Sequence, residues 1–220
     1  MPPLFTPEAL DGNGYPAWVS ALADQDEGII LYVARGLDPA AALERLGYPA
    51  AATRAVELSS VTPQAPYSSR VEQALGVSDP EEVAAVSARV GEWTLVYEIH
   101  GVQQDEAALC VGGMPAACCT VNIESDTYLG YAVDGETVFW VTDPLTVHDL
   151  ADLPAGLREA AVAAGVYDRG EQGNSGGPAQ NFLTVCSLAG LWRLTLADLC
   201  GRPLLGSSME QPILPAQYQH

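Results

Sequence analysis

The sequence predicts an α+β fold: one domain built on an antiparallel β-meander of about five strands, with N-terminal and C-terminal helices packed on it. Three observations carry that expectation. First, residues 93–100 alternate. Trp93, Leu95, Tyr97 and Ile99 fall on one side, Thr94, Val96, Glu98 and His100 on the other, the period of two of a half-buried strand. Second, short apolar runs follow at 108–111, 117–123, 127–133 and 136–142, broken by Gly112-Gly113, by Glu124-Ser125-Asp126 and by Asp134-Gly135. Asp-Gly and Gly-Gly between apolar runs are hairpin signals, because both turn positions need positive φ. Connections this short keep strands antiparallel and adjacent. Third, helix start and stop signals flank this block on both sides.

Taken in order, residues 1–14 are rich in Pro and Gly and are expected to be extended. A short helix is expected at 15–22. Residues 27–35 continue with Ile29, Ile30 and Val33 on one side of a helical pattern, closed by Gly36. Asp38-Pro39 opens the next helix, with Asp as the cap and Pro where its missing N–H is not needed. Leu43 and Leu46 supply its apolar face, and Gly47 ends it. Residues 48–77 read as loop with a short helix at 70–75. Ser78 and Glu81 stand at capping-box spacing and predict a helix to about residue 89 that buries Val83 and Val86. After the strands, helices are expected at 154–164 and 179–189. The glycine-rich stretch 168–178 lies between them, and a last turn capped by Thr195 follows. The domain is expected to span 15–205, with 206–220 a surface tail.

Composition narrows the function classes. Of the charged residues 28 are acidic and 9 basic, and every basic residue is arginine. A formal net charge of -19 disfavours contact with nucleic-acid phosphates or anionic membranes and favours a basic protein partner. No apolar stretch approaches the roughly 20 residues of a membrane span. The N-terminus lacks the basic and apolar regions of a secretory signal. Five cysteines, Cys110, Cys118, Cys119, Cys186 and Cys200, show no C-x-x-C spacing. They read as reduced, buried thiols of a cytoplasmic protein, with neither metal nor cofactor expected.

The pieces RGLDPAAALERLG (35–47), GEWTLVYEIHG (91–101), Asp134-Gly135 followed by VFWVTDP, and LAGLWRLTLADL (188–199) occur in this order. Together they resemble an actinobacterial family of about 200-residue proteins known only as a domain of unknown function. The family pattern resembles R-G-x-x-P-x-x-x-L-x-R-L-G and G-x-W-x-x-x-x-E-x-x-G. Arg35, Gly36, Pro39, Leu43, Arg45, Leu46 and Gly47 fall on the first, and Gly91, Trp93, Glu98 and Gly101 on the second. The chain departs from the pattern at 102–106. The resemblance implies a single intact domain and an actinobacterial source, and it implies no activity.

Several residues carry candidate chemistry. Gly173-Asn174-Ser175-Gly176-Gly177-Pro178 matches the motif around the nucleophile of chymotrypsin-like proteases, in which glycines let backbone N–H groups converge on an oxyanion. Ser175 would then need His100 or His148 as its base. Neither stands in the sequence context of those proteases, and the bland reading is a loop between helices. Glu98 and His100, two apart on one strand, form either an acid/base pair or an ordinary solvated strand face. His148-Asp149 lies in a loop. Arg35 and Arg45 bind an anion or sit in a structural ion pair. Trp93, Tyr97, Tyr131 and Trp140 line a pocket between sheet and helices or pack as core and cross-strand partners.

With no complete catalytic constellation, the leading expectation is a non-catalytic, acidic protein-interaction module, regulatory or immunity-like, that binds a basic partner. Two alternatives stay open: a small-molecule-binding protein using the aromatic pocket, and a serine hydrolase using the GNSGGP loop.

Overall fold

A computed structural model describes residues 4–23, 28–61, 69–77, 79, 82–101, 103–122, 124, 126–166 and 177–210, apart from the side chains of Val147 and His148. Eight strands cover β1 (Ile29–Arg35), β2 (Arg54–Val56), β3 (Glu82–Val90), β4 (Trp93–Ile99), β5 (Ala116–Val121), β6 (Thr127–Val133), β7 (Glu136–Val141) and β8 (Leu204–Glu210). They form one sheet in the order β2-β8-β3-β4-β1-β5-β6-β7, and each described pairing is antiparallel. The described helices are α1 (Ala17–Leu22), α2 (Pro39–Arg45), α3 (Arg70–Leu75), α4 (Ala155–Ala164), α5 (Ala179–Leu188) and α6 (Leu196–Cys200).

The α+β class is as the sequence predicts, whereas the sheet is larger than the expected five strands and differently ordered. Only β5, β6 and β7 form a meander, with the two-residue turn at Asp134 (φ 56°) and Gly135 (φ 80°). The expected strand at 108–111 is instead a 3-10 turn, Glu106–Leu109, followed by a Val111–Met114 bridge across Gly112-Gly113. Residues 27–35 and 82–90, expected as helical, are β1 and β3. Six of the seven residues of β1 are buried, as are six of the nine of β3. A strand covered on both faces shows a continuous apolar run, which periodicity does not separate from a helix. The expected tail holds β8, inserted between β2 and β3. The N-terminal segment also contributes to the core, through buried Phe5.

Both faces of the sheet carry a packed layer, the second one leaving β7 uncovered. The larger layer holds residues of α1, α3, α4, α5 and α6, packed on Leu31, Val33, Leu95, Tyr97, Cys119 and Leu129. The smaller layer is α2 and the chain around Leu37, Tyr48 and Leu109, packed on Ile30, Tyr32, Val83, Val96 and Cys118. Cys118 and Cys119 therefore face opposite layers, as adjacent strand residues must. Asp38 caps α2 by accepting from the Ala40 and Ala41 N–H groups, and Ser69 with Glu72 forms the capping box of α3. Helices thus lie on both sides of the sheet.

Candidate functional site

Strand β1 lies between β4 and β5, so the chain from 100 to 115 has to cross it. The crossing runs over the smaller layer, where the Gln104 N–H donates to the Tyr32 hydroxyl at 2.8 Å. It starts at His100, whose φ of 59° turns the chain out of the strand. Gly101 then lies directly over Glu98. A Cβ at position 101 would stand 1.5 Å from a Glu98 carboxyl oxygen, so only glycine fits there.

Two buried carboxylates hang under this crossing. Glu98 accepts a hydrogen bond from the Tyr48 hydroxyl at 2.7 Å. Burial pushes its pKa up to about 7, and the Tyr48 bond works against that rise. Glu106 sits over Gly130 of β6, where a Cβ would come within 2.4 Å of its carboxyl group. The Thr137 hydroxyl donates to it at 2.9 Å and the Tyr128 hydroxyl at 3.4 Å. Burial raises the Glu106 pKa as well. Cys118 is fully buried beside them, and burial drives its thiol pKa well up. These groups face inward. Glu106 fastens the crossing to β6 and β7, Glu98 ties β4 to Tyr48, and Gly101 and Gly130 pack directly against the two carboxyl groups.

Beyond Glu106 the same face opens. Gln103, Thr120, Asp126, Tyr128, Thr142 and Asp143 are among the residues lining a polar groove of about 490 Å³. Two residues before Thr142 on the same strand face stands Trp140, opposite Gly130 and 63% exposed. Val138, left unpaired where β7 bulges against β6, is 51% exposed. Strand β7 pairs only with β6 among the described residues, so one row of its backbone donors and acceptors is unused by the sheet. Between Arg89 and Arg158 the chain has no Arg or Lys and eleven Asp or Glu residues. The surface is thus an apolar anchor, a free strand edge and an acidic groove side by side.

The candidates read from sequence scatter. Glu98 and His100 do not form a pair. Glu98 faces Tyr48, while the His100 Nε2 lies 3.4 Å from a carboxyl oxygen of Glu72 on α3, in the opposite layer. Ser175 lies outside the described residues, as does the His148 side chain. Arg35 forms an exposed ion pair with Glu92, not a buried one. Arg45 donates to the carbonyls of Ala108 and Cys110, bracing the crossing. Tyr97, whose hydroxyl donates to the Val19 carbonyl, and Tyr131 are buried in the larger core. Trp93 packs at the edge of that core, and Trp140 lies on the other face. The four aromatics therefore share no pocket. Glu106 and the groove were not anticipated. Their one signal was Gly130 inside a strand pattern, a mark of close approach by another group.

No protein-family model, curated protein or solved structure gives a significant match to the chain. Among the described residues no helix is long and apolar enough to cross a membrane, and no group of three or more His, Cys, Asp or Glu is placed to hold a metal ion.

Proposed function

We propose that the protein is a non-catalytic interaction module that captures a basic protein through the β6–β7 end of its sheet. The observation that carries this reading is Trp140, a large exposed aromatic beside a free strand edge in a stretch without a single cation. A bare apolar patch on a sheet is an interaction feature. Trp is the side chain most enriched among binding anchors, and its face also attracts Arg and Lys. The unused edge of β7 suits an extended partner segment, which adds as a strand with backbone hydrogen bonds. A second copy of this chain is a poor occupant, because each copy carries a formal charge of -19. The partner is therefore a different, basic chain.

The resemblance to actinobacterial proteins gives this module its setting, a bacterial cytoplasm in which five free thiols stay reduced. A regulatory or immunity-like role follows from the same charge logic, since an acidic protein is steered quickly onto a basic effector. Capture from a lysate of such a host tests the reading. A stoichiometric basic partner should be retained at low salt and released near 1 M salt, where screening extends down to about 3 Å. Trp140→Ala should weaken capture about thirtyfold, the effect of losing a central anchor. A partner held equally by Trp140→Ala, or unmoved by salt, refutes it.

A further inference from the structure

Of the eight arginines among the described residues, seven donate to a backbone carbonyl or to Glu92. Arg193 makes no such bond. Its guanidinium instead lies 4.0 Å from the ring centre of Trp192, at a cavity of about 230 Å³ between the N-terminal turn, α1 and the α5–α6 connection. Trp18, Trp192, Leu194 and Leu196 are the large apolar residues of its lining. Trp18 is only 2% exposed, and its indole N–H has no acceptor among the described residues. A buried donor of that kind is ordinarily bonded. Glu8 also lines the cavity and forms no ion pair with Arg193. Bonds to its carboxylate from its own backbone and from the Thr6 side chain favour the ionised form and lower its pKa.

We propose that this cavity binds a free α-amino acid with a bulky apolar side chain. The volume falls below the roughly 300 Å³ at which pockets for drug-sized ligands begin, which limits the ligand to a small metabolite. The apolar lining takes the side chain. Arg193 takes the carboxylate, which a guanidinium can hold with two parallel bonds, and Glu8 takes the ammonium group. A simple carboxylate would leave Glu8 facing a like charge, and a simple amine would do the same to Arg193. A peptide end carries only one of the two charges at its terminal Cα. The cavity lies in the larger layer, across the sheet from Trp140, so this site stands apart from the partner surface.

Titration of the full chain with L-leucine and L-phenylalanine, up to about 10 mM, tests the proposal by calorimetry and by the fluorescence of Trp18 and Trp192. Saturable binding is expected. Isocaproate, which lacks the amine, and leucinamide, which lacks the carboxylate, should each bind about tenfold more weakly. Arg193→Ala and Glu8→Gln should weaken leucine by a similar factor while leaving the melting temperature unchanged, because both side chains are exposed. Absence of saturable binding by any apolar amino acid overturns the proposal. Equal affinity for isocaproate, or an affinity unaltered in Arg193→Ala, overturns it as well.

Discussion

The two edges of the sheet are finished in opposite ways. At one, β2 is three residues long and Val56 is buried, and the Arg54 guanidinium donates to the Leu75 carbonyl at the end of α3. Such an edge offers little to a passing strand. At the other, β7 runs for six residues with exposed Val138 and Trp140, and beyond its ladder to β6 and the packing of Phe139 and Val141 it is tied down by a buried carboxylate, Glu106, which accepts from the Thr137 hydroxyl. The lesson is that closure here depends on cations. Arginine can end a backbone carbonyl's search for a donor and cover apolar surface with its stem. Among the described residues no arginine donates to the backbone of β5, β6 or β7 themselves, Arg45 reaching only the crossing that precedes them, so that side buries acids and leaves the outer face of β7 bare.

The sharpest way to break this contrast is to add one methyl group to each half. Gly130→Ala puts a Cβ into the Glu106 carboxyl and should cost about 3 kcal/mol, from overpacking together with lost hydrogen bonds to a buried acid. Gly206→Ala in β8 meets Leu75 and Val56 at 2.8–3.0 Å, apolar groups that can give, and should cost about 1.5 kcal/mol. Urea unfolding of both variants decides it. A larger loss in Gly206→Ala would mean that the acids are not what holds the β7 side.

Next in size is pH. Glu98 has a folded pKa near 7, raised from 4.5 by burial. A raised folded pKa means that the native state binds the proton more tightly. Its contribution to stability is full below about pH 4.5 and is lost as pH rises through 7, amounting to about 3 kcal/mol. Glu98→Gln keeps an acceptor for the Tyr48 hydroxyl and removes the titration. The gap between variant and wild type should therefore move by that amount in the variant's favour between pH 4.5 and 8. Parallel stability curves would show that Glu98 does not titrate across this window.

The smallest effects concern the edges themselves. Arg54→Ala should lose about 1 kcal/mol, one charge-assisted bond to a carbonyl. Trp140→Ala should change stability by less than about 0.5 kcal/mol, because nothing in the fold rests on it. If Trp140→Ala instead lowers the melting temperature as much as Arg54→Ala, the tryptophan belongs to the fold and the partner surface must be sought elsewhere.

What the sequence revealed follows from how each segment is covered. Strand β4 alternates large apolar residues with Thr94, Val96 and Glu98, and the Asp134-Gly135 turn carries its own backbone chemistry, so both were legible locally. Strands β1 and β3 lie between neighbours and under two layers, so their alternation vanished into continuous apolar runs. Strand β8 reads Leu-Leu-Gly-Ser-Ser-Met-Glu, small because Gly206 must admit Leu75 and Val56, and small polar residues mimic a loop. The site was half legible. Glu98 was read as a partner of His100 on one strand face, but its partner is Tyr48, fifty residues away, because the positive φ of His100 removes the histidine from the strand face. Trp140 was flagged as one wall of a pocket, although no spacing rule states which of two sheet faces a helix will leave open.

Strand β8 also sets a timetable. It fills the gap between β2 and β3, and β2 has no other described neighbour. While a ribosome makes the chain, β1 can pair with β4 and β5, and the β5–β7 hairpins can close, long before residue 204 exists. At about 5–20 residues per second, roughly ten seconds separate the synthesis of β3 from that of β8. During that interval β3 is itself a sheet edge, and β2 has no strand to join. The nascent chain is thus a half-built sheet with a strand-shaped vacancy, and β8, the last described strand to be translated, closes it.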